Sequence, residues 1–260
     1  MEKQIKDPER GNILGVGVSA IDMQQALHSI GQWIVARDPH YVCVTPAHAV
    51  MDCYRSSELR QIYNRSGLTT PDGMAIVWLL KWQGFRNVER VYGPDLLQAV
   101  CQQSLINGYS HYFYGGAPGV TERLSKKLLQ KYHGLRIVGL DSPPFRDLKP
   151  DEDEAAVQRM RDANPDIIWI GLGSPRQERW MVDHLMRVGA PVMIGIGAAF
   201  DFISGNKPQA PLWMQRNGLE WFFRLTSEPG RLWRRYLLNY PRFTMLVLLQ
   251  LMGLKQYPIN

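Results

Sequence analysis

An α/β fold, a Rossmann-like sandwich on a mostly parallel sheet with a C-terminal helical, membrane-associating appendage, is predicted by three features of the sequence. Strand-length apolar runs alternate with helix-length segments from Ile13 to Gly197, as strands covered on both faces by helices require. Three of the runs end in glycine loops, at Gly115-Gly116, Gly171-Leu172-Gly173 and Gly195-Ile196-Gly197, which suit tight strand-to-helix turns. After Ile203 the character changes. Pro208, Pro211, Pro229 and Pro241 break the chain into short aromatic-rich helical pieces, so the expected organisation is a Rossmann-like domain over 1–206 and a basic aromatic helical appendage over 207–260. At 260 residues and 45% hydrophobic content the chain can bury a sizeable core.

Taken in order, Ile13 to Val18 reads as a strand, and Asp22 caps a helix running to about Arg37. Tyr41-Val42-Cys43-Val44 is a buried-type strand ending in Thr45-Pro46-Ala47-His48, followed by helical pieces at Ala49–Tyr54 and Glu58–Asn64. Leu68-Thr69-Thr70 leads into a Pro71-Asp72-Gly73 turn and a helix from Met74, which puts Asp72 where a strand hands over to a helix. An Asp there caps helices commonly, but the carboxyl ends of strands in open α/β sheets also face the ligand crevice. Arg90-Val91-Tyr92-Gly93-Pro94-Asp95 opens another helix, with Pro94 suited to its first turn. His111–Gly119 gives strand, glycine loop and helix start. Arg136–Gly139 is a strand, Asp151–Ala163 a helix, Asp166–Gly173 a strand into a loop, Pro175–Arg187 a helix, and Val192–Gly197 the last strand.

Charge is unevenly placed. Residues 1–206 carry 22 Lys+Arg and 22 Asp+Glu, whereas 207–260 carry 8 Lys+Arg against Glu220 and Glu228 alone. A neutral body with a basic tail implies an acidic partner, either phosphates or an anionic membrane. In the tail, Arg231, Arg234 and Arg235 fall at helical spacing on one face, with Trp233, Leu237 and Tyr240 roughly opposite. The apolar stretch Phe243–Leu254 is shorter than the roughly 20 residues a helix needs to cross a bilayer. It is therefore expected to lie in the membrane interface, the alternative being a helix packed in a homo-oligomer. Arginines set among apolar aromatics disfavour nucleic acid as the partner. Three cysteines without a CxxC, and a charged N-terminus without an apolar core, point to the cytoplasm.

The glycine loops would let backbone approach a phosphate. None completes a dinucleotide fingerprint, since the third glycine position is Arg176 in one and Phe200 in another, and no Walker A lysine is present. Gly173-Ser174-Pro175-Arg176-Gln177-Glu178 places Gln177 near a helix start, where an amide can bind a sugar hydroxyl. Asp201 is a further acid just past a strand end. Asp151-Glu152-Asp153 is better read as acids at a helix N-terminus than as a metal site, and the six histidines lack metal-ligand spacing.

Thr69-Thr70-Pro71-Asp72-Gly73-Met74, Arg90–Leu96, Gly171–Glu178, and Gly195–Asp201 through Gly218-Leu219-Glu220-Trp221 to Arg224-Leu225 resemble the WecG/TagA/CpsF glycosyltransferases of bacterial surface-polysaccharide assembly. The resemblance implies an inverting transfer from a UDP-sugar to a sugar on a polyprenyl diphosphate, with no metal or cofactor, at the inner face of the cell membrane. It implies Asp72 as general base and Arg224 and Arg231 as cations for the departing UDP, with Arg234 or Arg235 in support. Thr45, Arg90 and Gln177 match positions lining the donor sugar and its diphosphate, Asp201 a nucleotide-pocket residue, and Gly93, Asp95 and Gly173 lie in the substrate-binding motifs. Many members have an asparagine two residues after the threonine matching Thr45. This chain has Ala47 there and then His48, which leaves open both the donor sugar and whether His48 supplies the missing contact. Two readings remain beside this one: a nucleotide-binding oxidoreductase on the same fold, and a non-catalytic membrane-bound assembly partner. Deleting 207–260 is expected to abolish turnover and leave the sandwich folded.

Overall fold

The runs Tyr41–Val44, Tyr112–Tyr114, Ile167–Ile170 and Val192–Ile194 are rich in β-branched and aromatic side chains that pack well on pleated backbone. Each lies in a buried strand of the computed structural model, which describes residues 8–259 apart from the side chains of Arg231 and Arg235. In chain order the elements are β1 (Arg10–Ile13), β2 (Val16–Ser19), α1 (Met23–Ala36), β3 (His40–Thr45), α2 (Ala47–Arg55), α3 (Ser57–Arg65), β4 (Leu68–Pro71), α4 (Met74–Trp82), α5 (Gly93–Asn107), β5 (Ser110–Gly115) and α6 (Val120–Lys131). There follow β6 (Arg136–Asp141), α7 (Pro150–Ala163), β7 (Ile167–Gly171), α8 (Arg176–His184), β8 (Val192–Gly195), α9 (Ala199–Ser204), α10 (Leu212–Arg216), α11 (Glu220–Ser227), α12 (Pro229–Trp233), a π-helical turn at Arg234–Leu238, and α13 (Asn239–Leu251).

The α/β prediction holds: a six-stranded parallel sheet has the order β4-β3-β8-β7-β5-β6. By packing, the described residues fall into two units, one from the spans 1–23, 44–92 and 208–260, the other from 24–43 and 93–207.

In the second unit, β3, β8, β7, β5 and β6 carry a core of Phe113, Trp169 and Phe200, each fully buried. His111 stacks on Phe113 and Trp169 and accepts a hydrogen bond from the Trp169 indole at 3.0 Å. Burial pushes its pKa down to about 4, so it is a neutral core residue. Two of the glycine loops answer to packing. A Cβ on Gly115 would lie 2.5 Å from the Gly171 carbonyl carbon, and one on Gly171 would meet the Phe200 ring at 2.6 Å. Strand and loop approach one another there only because both residues lack side chains.

In the first unit the stretch read as one strand, Ile13 to Val18, is a hairpin: β1 and β2 pair antiparallel around Leu14-Gly15, both at positive φ. Arg10 is its anchor, donating to the Asn64 carbonyl at 3.1 Å and also to that of Ser66. The C-terminal segment completes this unit. Gln250 accepts from the Leu14 N–H at 2.9 Å and donates to the Asn12 carbonyl at 3.0 Å, while Phe243, Leu246 and Val247 are the buried residues of α13, which packs against α2. Removing 207–260 would therefore uncover apolar surface and strip hydrogen bonds from β1–β2, and point variants are the cleaner probes of the tail.

The tail departs from the periodicity expected of it. Pro241 does not break the chain: helical backbone runs without interruption from the π turn at Arg234–Leu238 into α13. Leu232 and Tyr236 are buried, while Trp233 and Leu237 are exposed, and the π turn at Arg234–Leu238 shifts the helical phase on the way to Tyr240, expected to share their face.

Candidate active site

Asp72 is set by local chemistry. Strand β4 ends at Pro71, Gly73 takes φ +107, a conformation that side chains resist, and α4 begins at Met74. The Asp72 N–H donates to the Thr45 carbonyl at 3.4 Å, and the Val91 N–H to the Pro71 carbonyl at 3.0 Å. These two bonds fix the carboxyl-bearing residue beside the end of β3 and beside the segment that carries Arg90 and Tyr92.

Around the carboxylate lies a network of charge within the first unit. Arg90 Nη2 reaches Asp72 Oδ1 at 3.5 Å and makes a closer ion pair with Glu220 Oε2. Arg90 Nη1 donates to Gln215 Oε1 at 3.4 Å, and the guanidinium carbon stands 3.9 Å over the Tyr92 ring. The Tyr92 hydroxyl donates to Glu220 Oε1 at 3.0 Å. The side chains of Asp72, Arg90 and Glu220 are only 15%, 14% and 16% exposed.

Burial raises the Asp72 pKa, Arg90 opposes the rise, Glu220 adds to it and Arg224 reduces it, leaving the group at about 6. The same surroundings push the Tyr92 and Tyr240 phenols well up, burial being the first cause in each. At neutral pH Asp72 is thus an ionised carboxylate of unusual basicity, next to cations and neutral phenols. Such a group can take a proton from a hydroxyl.

Of the residues singled out from sequence, Asp72, Arg90, Arg224 and Thr45 come together in this way. His48 is buried on α2. Arg234 is exposed, its guanidinium 5.2 Å over the neighbouring Trp233 ring, and the side chains of Arg231 and Arg235 lie outside the described residues.

Gly93, Asp95, Gly173, Gln177 and Asp201 belong to the second unit. Gly93 begins α5 and Asp95 is exposed on its first turn. Gln177 is buried on α8 and donates to Glu178 Oε1 at 2.9 Å, while its Oε1 has no protein hydrogen bond. A Cβ on Gly195 would lie 3.0 Å from the Gln177 Nε2, and one on Gly197 would lie 3.3 Å from its Oε1, so these glycines make room for the amide. Gly173 takes φ +80 just before it. Asp201 accepts from Asn206 Nδ2 at 2.7 Å and pairs with Lys207 at 3.6 Å.

The acids at 151–153 diverge. Glu152 is held by Arg146 and the Lys149 N–H, Asp153 by His184 and Arg187. Among the described residues no group of three or more His, Cys, Asp and Glu converges as a metal-binding set.

Sequence reasoning missed Glu220, Gln215, Tyr92 and Tyr240. Tyr92 and Glu220 stood inside motifs already singled out, but an acid in a helix's first turn reads as a partner for the helix dipole. Its ion pair with Arg90 spans 130 positions.

A parallel α/β sheet carrying a basic carboxylate at a strand's carboxyl end, with Arg90 and Arg224 beside it, has the parts a group-transfer enzyme uses. The whole-chain comparison gives the family: residues 11–257 match the model of the "Glycosyl transferase WecG/TagA/CpsF family", and the chain belongs to that family. It is a glycosyltransferase of bacterial polysaccharide assembly, not an oxidoreductase or a non-catalytic partner. The N-acetylglucosaminyldiphosphoundecaprenol N-acetyl-beta-D-mannosaminyltransferase of Bacillus subtilis (strain 168) is 29% identical over 187 residues, covering 72% of this chain and 70% of that protein.

Proposed function

We propose that this protein transfers a hexose-type sugar from a UDP-sugar to a hydroxyl of a sugar carried on a polyprenyl diphosphate, with inversion and with Asp72 as the general base. The observation that carries the reading is the Asp72 carboxylate, largely buried, raised to about 6 and ion-paired through Arg90. As the acceptor oxygen attacks the anomeric carbon its proton passes to Asp72. The bond from that carbon to the β-phosphate oxygen breaks and its electron pair leaves with UDP. Arg90 and Arg224 lie at the carboxylate and would meet the phosphate charge, with Arg231, Arg234 and Arg235 as further cations from the tail. A cation aimed at developing charge in a closed site is worth roughly 2.7 to 4 kcal/mol, by analogy with single oxyanion donors. Gln177, with an unpaired buried carbonyl oxygen, fits a contact to a donor hydroxyl, and Thr45, His48, Gly93, Asp95, Gly173 and Asp201 are the remaining proposed substrate positions.

The relative named for N-acetylmannosamine transfer makes UDP-N-acetylmannosamine the first donor to try, followed by glucosyl and uronosyl donors because of His48. UDP release should depend on the lipid-linked acceptor, and kcat should fall tenfold per pH unit below a midpoint of about 6. Below that midpoint the base is protonated. A rate unchanged down to pH 4.5 would remove Asp72 from the role.

Membrane contact at the cytoplasmic face is part of the same reading. Among the described residues no helix is long and apolar enough to cross a membrane. The C-terminal segment instead exposes Trp213, Phe222, Leu248 and Met252, with Arg216, Arg242 and Lys255 also at its surface. Aromatic and basic side chains together suit an anionic bilayer surface. Trp213→Ser with Phe222→Ser should lower sedimentation with anionic vesicles at least about tenfold, since each buried aromatic contributes about 1.5 to 3 kcal/mol. Unchanged sedimentation would exclude this face.

A further inference from the structure

Arg90 stands between two carboxylates and is held more closely by the one that is not the proposed base. Its Nη2 is nearer Glu220 Oε2 than Asp72 Oδ1, which it meets at 3.5 Å. Three contacts hold it there. Tyr92 lies flat against the guanidinium at 3.9 Å and bonds the far oxygen of Glu220 at 3.0 Å, while Gln215 accepts from Nη1 at 3.4 Å. A guanidinium in a closed, bidentate pair with Asp72 would stabilise the carboxylate and blunt it as a base.

We propose that Glu220 is a positioning residue for glycosyl transfer: it draws Arg90 out of a closed ion pair with Asp72, so that the Asp72 carboxylate stays free to accept the acceptor's proton. The charged and titratable groups facing Asp72 are Arg90, Glu220 and Arg224, with Tyr92 and Tyr240 beside them. Of these, Glu220 alone both raises the basicity of Asp72 by its own charge and competes for the cation that lowers it. Glu220 opens α11 in the C-terminal segment, so the tail acts on the base through an ion pair as well as through any cation it brings to the departing diphosphate. This inference rests on the reading of Asp72 as base.

The test is the pH profile of acceptor-dependent UDP release by Glu220→Gln in the full chain. Gln keeps the shape and removes the charge. Arg90 is then expected to close on Asp72, moving the acid limb from about 6 to below about 5 and lowering the kcat plateau about three- to tenfold, with the donor KM within about twofold. Tyr92→Phe, which removes only the hydroxyl that steadies Glu220, should move the limb the same way by less. An acid limb that stays at its wild-type position in Glu220→Gln overturns the inference, whether or not kcat falls, because a merely structural loss lowers the fraction of active enzyme without moving the limb. Asp72→Asn separates the two failures. If it is inactive while the Glu220→Gln limb stays put, Asp72 remains the base and Glu220 is excluded; if it keeps full activity, the reading of Asp72 itself falls.

Discussion

Asp72→Asn is expected to lower acceptor-dependent kcat by about 10²- to 10⁴-fold, the usual range for removing a positioned general base, while the donor KM changes little. The same substitution should make the protein more stable at neutral pH. Folding raises the Asp72 pKa from 3.8 to about 6, so the folded state holds the proton more tightly than the unfolded chain does. That contribution is fully present below about pH 4 and is lost as pH rises through 6. Above pH 6 the wild type holds a carboxylate that burial disfavours, and the amide removes that cost. Thermal melts of the two proteins should therefore converge near pH 4, with the variant melting higher by several degrees at pH 7.5. Wild-type turnover in Asp72→Asn would place the base elsewhere. A melting difference independent of pH would show that the carboxylate is not held at raised pKa. Higher stability with lost activity is the trade expected where a site is strained for function.

Asp72 could be found in the sequence because everything that places it is local: a β-branched strand end, a proline, a glycine that tolerates positive φ, and an apolar helix start. The parallel sheet was legible for the same reason, since apolar runs of strand length declare burial on both faces without reference to their neighbours. Two kinds of feature were not legible. The split of Ile13–Val18 into a hairpin depends on Leu14 and Gly15 both taking positive φ, and a leucine gives no sign of that. Which tail residues are buried was not legible either, because spacing arguments assume 3.6 residues per turn, whereas the Arg234–Leu238 turn is π-helical, and Leu232 and Tyr236 are the buried residues there. Glu220 illustrates a third limit. Its pairing with Arg90 is chemistry between segments far apart in the chain, and a local pattern shows only that an acid begins a helix.

Arg90→Ala should give the largest loss of stability, and its effect on pH dependence should run opposite to that of Glu220→Gln. Truncation leaves the Asp72 and Glu220 carboxylates facing one another, each about 15% exposed, with their shared cation gone. Stranding buried charge in this way costs about 3 to 5 kcal/mol. Like charge and burial both favour protonation, so the folded-state pKa of Asp72 rises beyond about 6, and the stability tied to its proton is lost as pH climbs through the new value. The deficit in melting temperature relative to wild type should accordingly be greatest at pH 8 and shrink as the pH falls below the raised value of Asp72, where its buried carboxyl takes up a proton. Activity should fall at least about 10²-fold, since the variant loses a cation near the departing phosphates as well as the anchor of its base. What activity remains should show its acid limb above pH 6, whereas removing Glu220 moves that limb below 5. Arg90→Lys restores a charge without the planar fork that reaches Asp72, Glu220 and Gln215 together. It should recover much of the stability but little of the rate. Equal recovery of both would mean that charge alone, and not the shared geometry of the guanidinium, is what the base requires.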